Sequence, residues 1–182
     1  MIRSLVLALV AALSIGLSGA PASAQSVTDA QKGQIQARID ELSALISQGD
    51  LVGAIDVVPP RLQDAISTRF GIPRDQIKSA MRQAMGAMLD QVQIDRYGMD
   101  LAAARTLTTP TGGRTYLLIP TFTEMTVQGA KYRSDTQTLA MADDGQWYLI
   151  RVEDAPQQAI LRDVYPEFVG VDFPAGATRQ LP

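Results

Sequence analysis

The sequence predicts an α+β fold in which N-terminal helices pack on a curved four-stranded antiparallel meander, followed by a short C-terminal helix. Apolar residues recur at three- and four-residue steps through the first half of the chain and nearer every second residue beyond Ile94. Turns rich in glycine and proline interrupt that second half at short intervals, as they do where consecutive strands pair as hairpins.

The first helix is expected over 28–48. Thr28 and Gln31 have the spacing of a capping box, and Ile35, Ile39, Leu42, Leu45 and Ile46 share one face. Gly49 stops it, because glycine adopts the left-handed conformation that ends a helix. Asp50 is placed to cap a short helix over 51–57, which Pro59 and Pro60 close. Pro60 suits the first position of a third helix reaching Phe70, where its missing N–H costs nothing, and Gly71 ends it. A longer fourth helix over 73–92 carries Ile77, Met81, Ala84, Met85, Met88 and Leu89 as its apolar stripe.

In the second half, Met99, Leu101, Ala103 and Leu107 alternate with polar or small residues as a first strand, and 109–113 reads as a hairpin connection. The next strand, 114–125, contains Pro120. Proline cannot donate to a ladder, so this strand is expected at a sheet edge or bulged there. Gln128 and Gly129 turn the chain into a third strand over 132–142, and 143–145 turn it tightly into a fourth over 146–152. Asp154 is placed to cap a closing helix over 155–163, ended by Tyr165 and Pro166. The tail, 166–182, is expected to be partly extended and to fray.

Helices, a meander, and a late strand reading Asp144-Gly145-Gln146-Trp147-Tyr148-Leu149-Ile150 together resemble the nuclear-transport-factor-like, or cystatin-like half-cone, superfamily with its ketosteroid-isomerase-like fold. The resemblance covers roughly 28–152. It implies a curved sheet wrapped around a long helix with a cavity at the wide mouth. Its members include ketosteroid isomerase relatives, polyketide cyclases and many non-catalytic accessory domains, so the fold leaves the function open.

The first 24 residues read as an export signal: Arg3, an apolar run from Leu5 to Leu17, then small residues ending Ala22-Ser23-Ala24, with cleavage expected after Ala24. The apolar run is shorter than the roughly 20 residues of a membrane-spanning helix. A periplasmic or secreted protein with no membrane span after cleavage is expected. Residues 25–182 have the length of one α+β domain, with a core over about 28–165. The sequence has no cysteine, so its stability rests on packing and hydrogen bonds, without disulfides.

Composition removes several function classes. Acidic residues outnumber basic ones, 19 to 16, which argues against nucleic acid as a partner. Without histidine or cysteine there is no Ser-His-Asp triad, no Cys-His nucleophile and no histidine-bound zinc. The pairs Asp143-Asp144 and Glu153-Asp154 lack the alternating spacing of a calcium loop and suit turns and caps. No catalytic, cofactor-binding or metal-binding residue is assigned.

Two groups remain as candidate binding residues. Arg74, Lys78 and Arg82, spaced by four, would set a cationic strip beside the apolar stripe, facing an acidic partner or simply covering the stripe with their stems. Met81, Met85 and Met88, with Tyr116 and Trp147, would line an adaptable apolar pocket or fill an ordinary core. Together with the resemblance, these point to non-catalytic binding of a partner protein, an envelope component or a small apolar ligand. An envelope assembly factor is a third possibility. The alternative is a small cofactor-free isomerase or cyclase with a carboxylate base, Asp100, Glu124 or Asp135, and a tyrosine donor, Tyr97, Tyr116 or Tyr132.

Overall fold

The computed structural model describes residues 26–89 and 91–182, and of residues 85 and 87–89 the backbone only. The segment 1–24, read as an export signal, lies outside the described residues.

Local chemistry sets the helix ends. Helix α1, Asp29–Ser47, opens with the expected box: Gln31 N donates to the Thr28 hydroxyl at 3.2 Å, and Thr28 N donates to Gln31 Oε1 at 2.9 Å. Asp50 accepts from Gly53 N at 2.9 Å and heads a 3-10 helix, Gly53–Val57. Helix α2, Pro60–Phe70, starts on its proline and ends at left-handed Gly71. The fourth helical stretch is shorter than expected. A 3-10 turn, Arg74–Gln76, leads into α3, Ile77–Leu89, and the chain is already extended by Val92, where Val92 and Ile94 alternate with Gln93 and Asp95.

The expected first strand is two strands, β1 (Val92–Met99) and β2 (Arg105–Thr108). Between them the Asp100 carboxylate accepts from Ala103 N at 3.0 Å and stabilises a turn. Both pieces pair with β3, Thr115–Val127, which pairs with β4, Ala130–Asp143. β4 is followed by β5, Gln146–Arg151, and its other half pairs with β6, Ala177–Gln180. The sheet is thus antiparallel and curved, as expected, but has six strands. Its centre is the long β3–β4 hairpin, flanked by two short strands in tandem on each side. The tight turns into β4 and β5 use positive φ at two successive residues, Gln128 and Gly129 (50° and 83°) and Asp144 and Gly145 (47° and 78°), the geometry that matches strand twist.

One expectation is overturned. Pro120 sits in a central strand, neither at an edge nor at a bulge: it faces Gln137 of β4 in regular register. Its carbonyl accepts from Asp100 N at 2.9 Å, so its ring nitrogen points to the gap between β1 and β2, where no ladder partner is left without a donor. The tail is partly extended, as expected, and is tied to the domain. Phe168, Val171 and Phe173 are buried, Phe168 meets Tyr116 edge to face with centroids 5.3 Å apart, and β6 docks on β4. Apolar anchors outweigh the local effect of Pro174 and Gly176.

Helix α4, Ala155–Val164, is capped by Asp154, which accepts from Gln157 N at 2.8 Å. It covers one face of the sheet together with the tail and Leu62 of α2, over Tyr116, Leu118, Leu139 and Met141. On the other face α1 and Val57 pack over Leu117, Ile119, Ala140, Trp147 and Leu149.

Candidate functional site

From Thr121 and Thr138 onward β3 and β4 turn mainly threonine and serine to the α1 face of the sheet, and the helices stand away from them. The space left is a cavity of about 620 Å³, partly open to solvent and mostly apolar. Its helical wall is aliphatic: Leu42 and Ile46 of α1, Ile55 and Val57 of the 3-10 helix, Leu62 and Ile66 of α2. Met81 of α3 closes one side. The opposite wall belongs to the sheet and holds Thr121 and Thr123 of β3 and Ser134, Thr136 and Thr138 of β4. Strand alternation explains this wall, because every second residue of paired strands faces the same way. A register shift between Ile94 and Arg96 lets Val92 and Ile94 share the cavity face with Tyr97 and Met99.

Some of these hydroxyls are satisfied internally. Thr121 and Thr138 hydrogen-bond each other at 2.8 Å, and the Ser134 hydroxyl accepts from that of Thr178 at 3.1 Å. Tyr97 and Thr123, which face each other across β1 and β3, have no hydroxyl partner among the described residues. Burial pushes the Tyr97 phenol well above the ordinary tyrosine range, against a smaller opposite pull from the Arg151 charge. It therefore remains a neutral hydrogen-bond donor. At the rim the Arg151 guanidinium pairs with the Glu153 carboxylate, and Gln157 Oε1 accepts from Glu153 N at 3.2 Å.

The structure separates the residues that the sequence had grouped. Met81 lines the cavity, while the side chains of Met85 and Met88 lie outside the described residues. Tyr116 and Trp147 are buried in the two packed clusters, away from the cavity lining. In the basic strip, Arg74 pairs with Asp64 at 3.2 Å and Lys78 with Asp56 at 2.6 Å; Arg82 is exposed. Of the carboxylates weighed as a base, Asp100 is exposed in its turn. Glu124 and Asp135 lie on the opposite face of the sheet, both bound to Arg133, at 3.0 and 2.9 Å. None of the three lines the cavity; the acid that does is Glu153. Among the tyrosines weighed as donors, Tyr97 alone lines it. Among the described residues no His, Cys, Asp or Glu group is arranged for a metal, and no helix is long and apolar enough to cross a membrane.

Comparison with known protein families, characterised proteins and solved structures finds no match to this chain.

Proposed function

We propose that this chain is an exported, non-catalytic binding protein of the half-cone type, holding a small apolar or amphipathic ligand between its helices and the concave face of its sheet. The observation that carries the reading is the cavity of about 620 Å³ with an aliphatic helical wall. That volume falls within the range of about 300–1,000 Å³ typical of small-molecule sites. Non-catalytic binding is further supported by the position of Asp100, Glu124 and Asp135 outside the cavity and by the pairing of Glu153, the acid that does line it, with Arg151. The version in which the basic strip recruits an acidic partner has less support, since Asp64 and Asp56 already neutralise two of its three cations.

Titration with the apolar fluorophore N-phenyl-1-naphthylamine tests the ligand site. Saturable one-site binding is expected, abolished by Thr136→Phe and by Thr123→Phe, both of which fill the cavity; circular dichroism confirms that the variants fold. Binding that is unsaturable, or unchanged in both variants, overturns the reading. Export is tested separately by sequencing the N-terminus of the protein recovered from cells expressing the whole gene. A start at Gln25 is expected, and a start at Met1 removes export.

A further inference from the structure

The cavity is not uniformly greasy, and its polar groups are unevenly satisfied. Thr121, Thr138 and Ser134 have hydroxyl partners within the protein, and the Thr136 hydroxyl makes a long 3.5 Å bond to the Thr121 carbonyl. Tyr97 and Thr123 stand side by side with none among the described residues. Both side chains are half-buried, so their hydroxyls stay accessible from the cavity and can donate to whatever occupies it. Two adjacent free donors therefore suit an acceptor on the ligand.

The charge nearby narrows the nature of that acceptor. Arg151 lines the same cavity, and its guanidinium acts electrostatically on the Tyr97 phenol. An acceptor placed against Tyr97 thus sits in a positive field, which favours an anion over a neutral carbonyl or alcohol. Glu153 pairs with Arg151 and offsets that field. Once Glu153 is displaced, the single guanidinium matches one negative charge, not the two of a phosphate monoester. Away from this spot the walls are aliphatic and sulfur-bearing, with Ile55, Leu62, Ile66, Met81 and Met125 offering only dispersion and hydrophobic contact.

We infer that the ligand is a monocarboxylate amphiphile of the fatty-acid class, its carboxylate received by the Tyr97 and Thr123 hydroxyls and the Arg151 guanidinium, its hydrocarbon body lying along the aliphatic helical wall. Glu153 is then a competitor that the carboxylate displaces from Arg151, so the rim pair acts as a gate that opens to an acid. This inference rests on the cavity being the ligand site.

The test is isothermal titration of protein expressed from the full-length sequence with three probes of equal chain length: dodecanoate, dodecanol and dodecyltrimethylammonium, each below its micelle concentration at neutral pH. Dodecanoate is expected to bind about ten-fold or more tighter than dodecanol, the scale of charge-assisted hydrogen bonds. Tyr97→Phe and Arg151→Gln each weaken dodecanoate several-fold and leave dodecanol unchanged, while Glu153→Gln strengthens dodecanoate by freeing the guanidinium. Arg151 and Glu153 lie at the rim, so their variants keep the test sound even if Tyr97→Phe fails to fold. Equal binding of dodecanol, tighter binding of the cation, or a loss that falls alike on acid and alcohol overturns the carboxylate and leaves the cavity reading standing. No binding of any of the three overturns both.

Discussion

The two ends of the central hairpin are built from the same strands and do opposite things. At the end formed by Tyr116 to Ile119 and Leu139 to Met141, helices or tail cover both faces, and every one of these residues is at most 4% exposed. At the other end the concave face borders a cavity, and the convex face carries charge, with Glu124 bridging Arg96 and Arg133, and Asp135 bridging Arg133 and Arg179. The change falls at Pro120 and at the Thr121–Thr138 hydroxyl pair, where leucine and isoleucine give way to threonine and serine. A continuous hairpin can therefore divide its labour: one end supplies burial, and the other is released from it to form a container.

The largest effect that would break this division is a packing one. Leu139→Ala removes a fully buried side chain at the closed end and is expected to cost about 2–5 kcal/mol. Thr123→Val at the open end exchanges a hydroxyl facing a cavity for a methyl and should cost less than about 1 kcal/mol. Urea unfolding of both variants gives the comparison directly. Similar losses at the two sites would mean that the open end is as tightly built as the closed one.

A second device fastens the closed end. The Tyr165 hydroxyl donates to Asp143 Oδ2 at 2.8 Å, in a buried site where the guanidinium groups of Arg61 and Arg114 lie 4.8 and 5.2 Å from the Tyr165 ring. Tyr165→Phe leaves the buried Asp143 with Arg61 at 3.6 Å and no hydroxyl, at an expected cost of about 1–3 kcal/mol. Burial, reinforced by the Asp143 hydrogen bond, pushes the Tyr165 phenol well above its ordinary 10.0, as burial does for Tyr97. Below that ordinary value the phenols are neutral in both folded and unfolded chains, and stability is unaffected. Above it the unfolded chain ionises while the fold holds them neutral, so stability is expected to fall as the pH rises beyond about 10. Tyr165→Phe should flatten that fall, and an unchanged slope in urea titrations at pH 9 to 11 would remove Tyr165 from the account.

How much of this was legible depended on whether the governing contact was local. Thr28, Asp50, Gly71 and Asp154 each act within a few residues, and the ends they set could be read from the sequence. The interrupted neighbour that accommodates Pro120 is distant in sequence and carries no local mark. The anchoring of the tail carries no local mark either: Pro174 and Gly176 are visible locally, whereas the cluster that receives Phe168 and Phe173 is not. The hydroxyl wall was missed for another reason: Thr121, Thr123, Ser134, Thr136 and Thr138 alternate as ordinary strand residues do, and threonine suits strands on its own account. The available signal was that this alternation put hydroxyls where the same faces of β3 and β4 had carried Leu117, Ile119 and Ala140. Tyr116 and Trp147 suit a pocket or a packed core equally well in the sequence, and the contacts that place them in the core are distant in the chain.

The smallest expected effect sharpens the comparison from the convex side. Phe122 is flanked there by the Arg96 and Arg133 guanidinium groups at 5.6 and 4.4 Å, with Glu124 between the two charges. Arg96 is solvent-exposed, and ion pairs with an exposed partner trade one hydration for another and are screened by salt. A double-mutant cycle on Arg96→Gln and Glu124→Gln is expected to give a coupling of about 0.3–1 kcal/mol that shrinks at 1 M salt. A coupling as large as the Leu139→Ala loss, or one indifferent to salt, would make the convex network a second fastening. The open end would then be held rigid from outside, and the cavity would owe its shape to charge on the far face of the sheet instead of to the small hydroxylated side chains that line it.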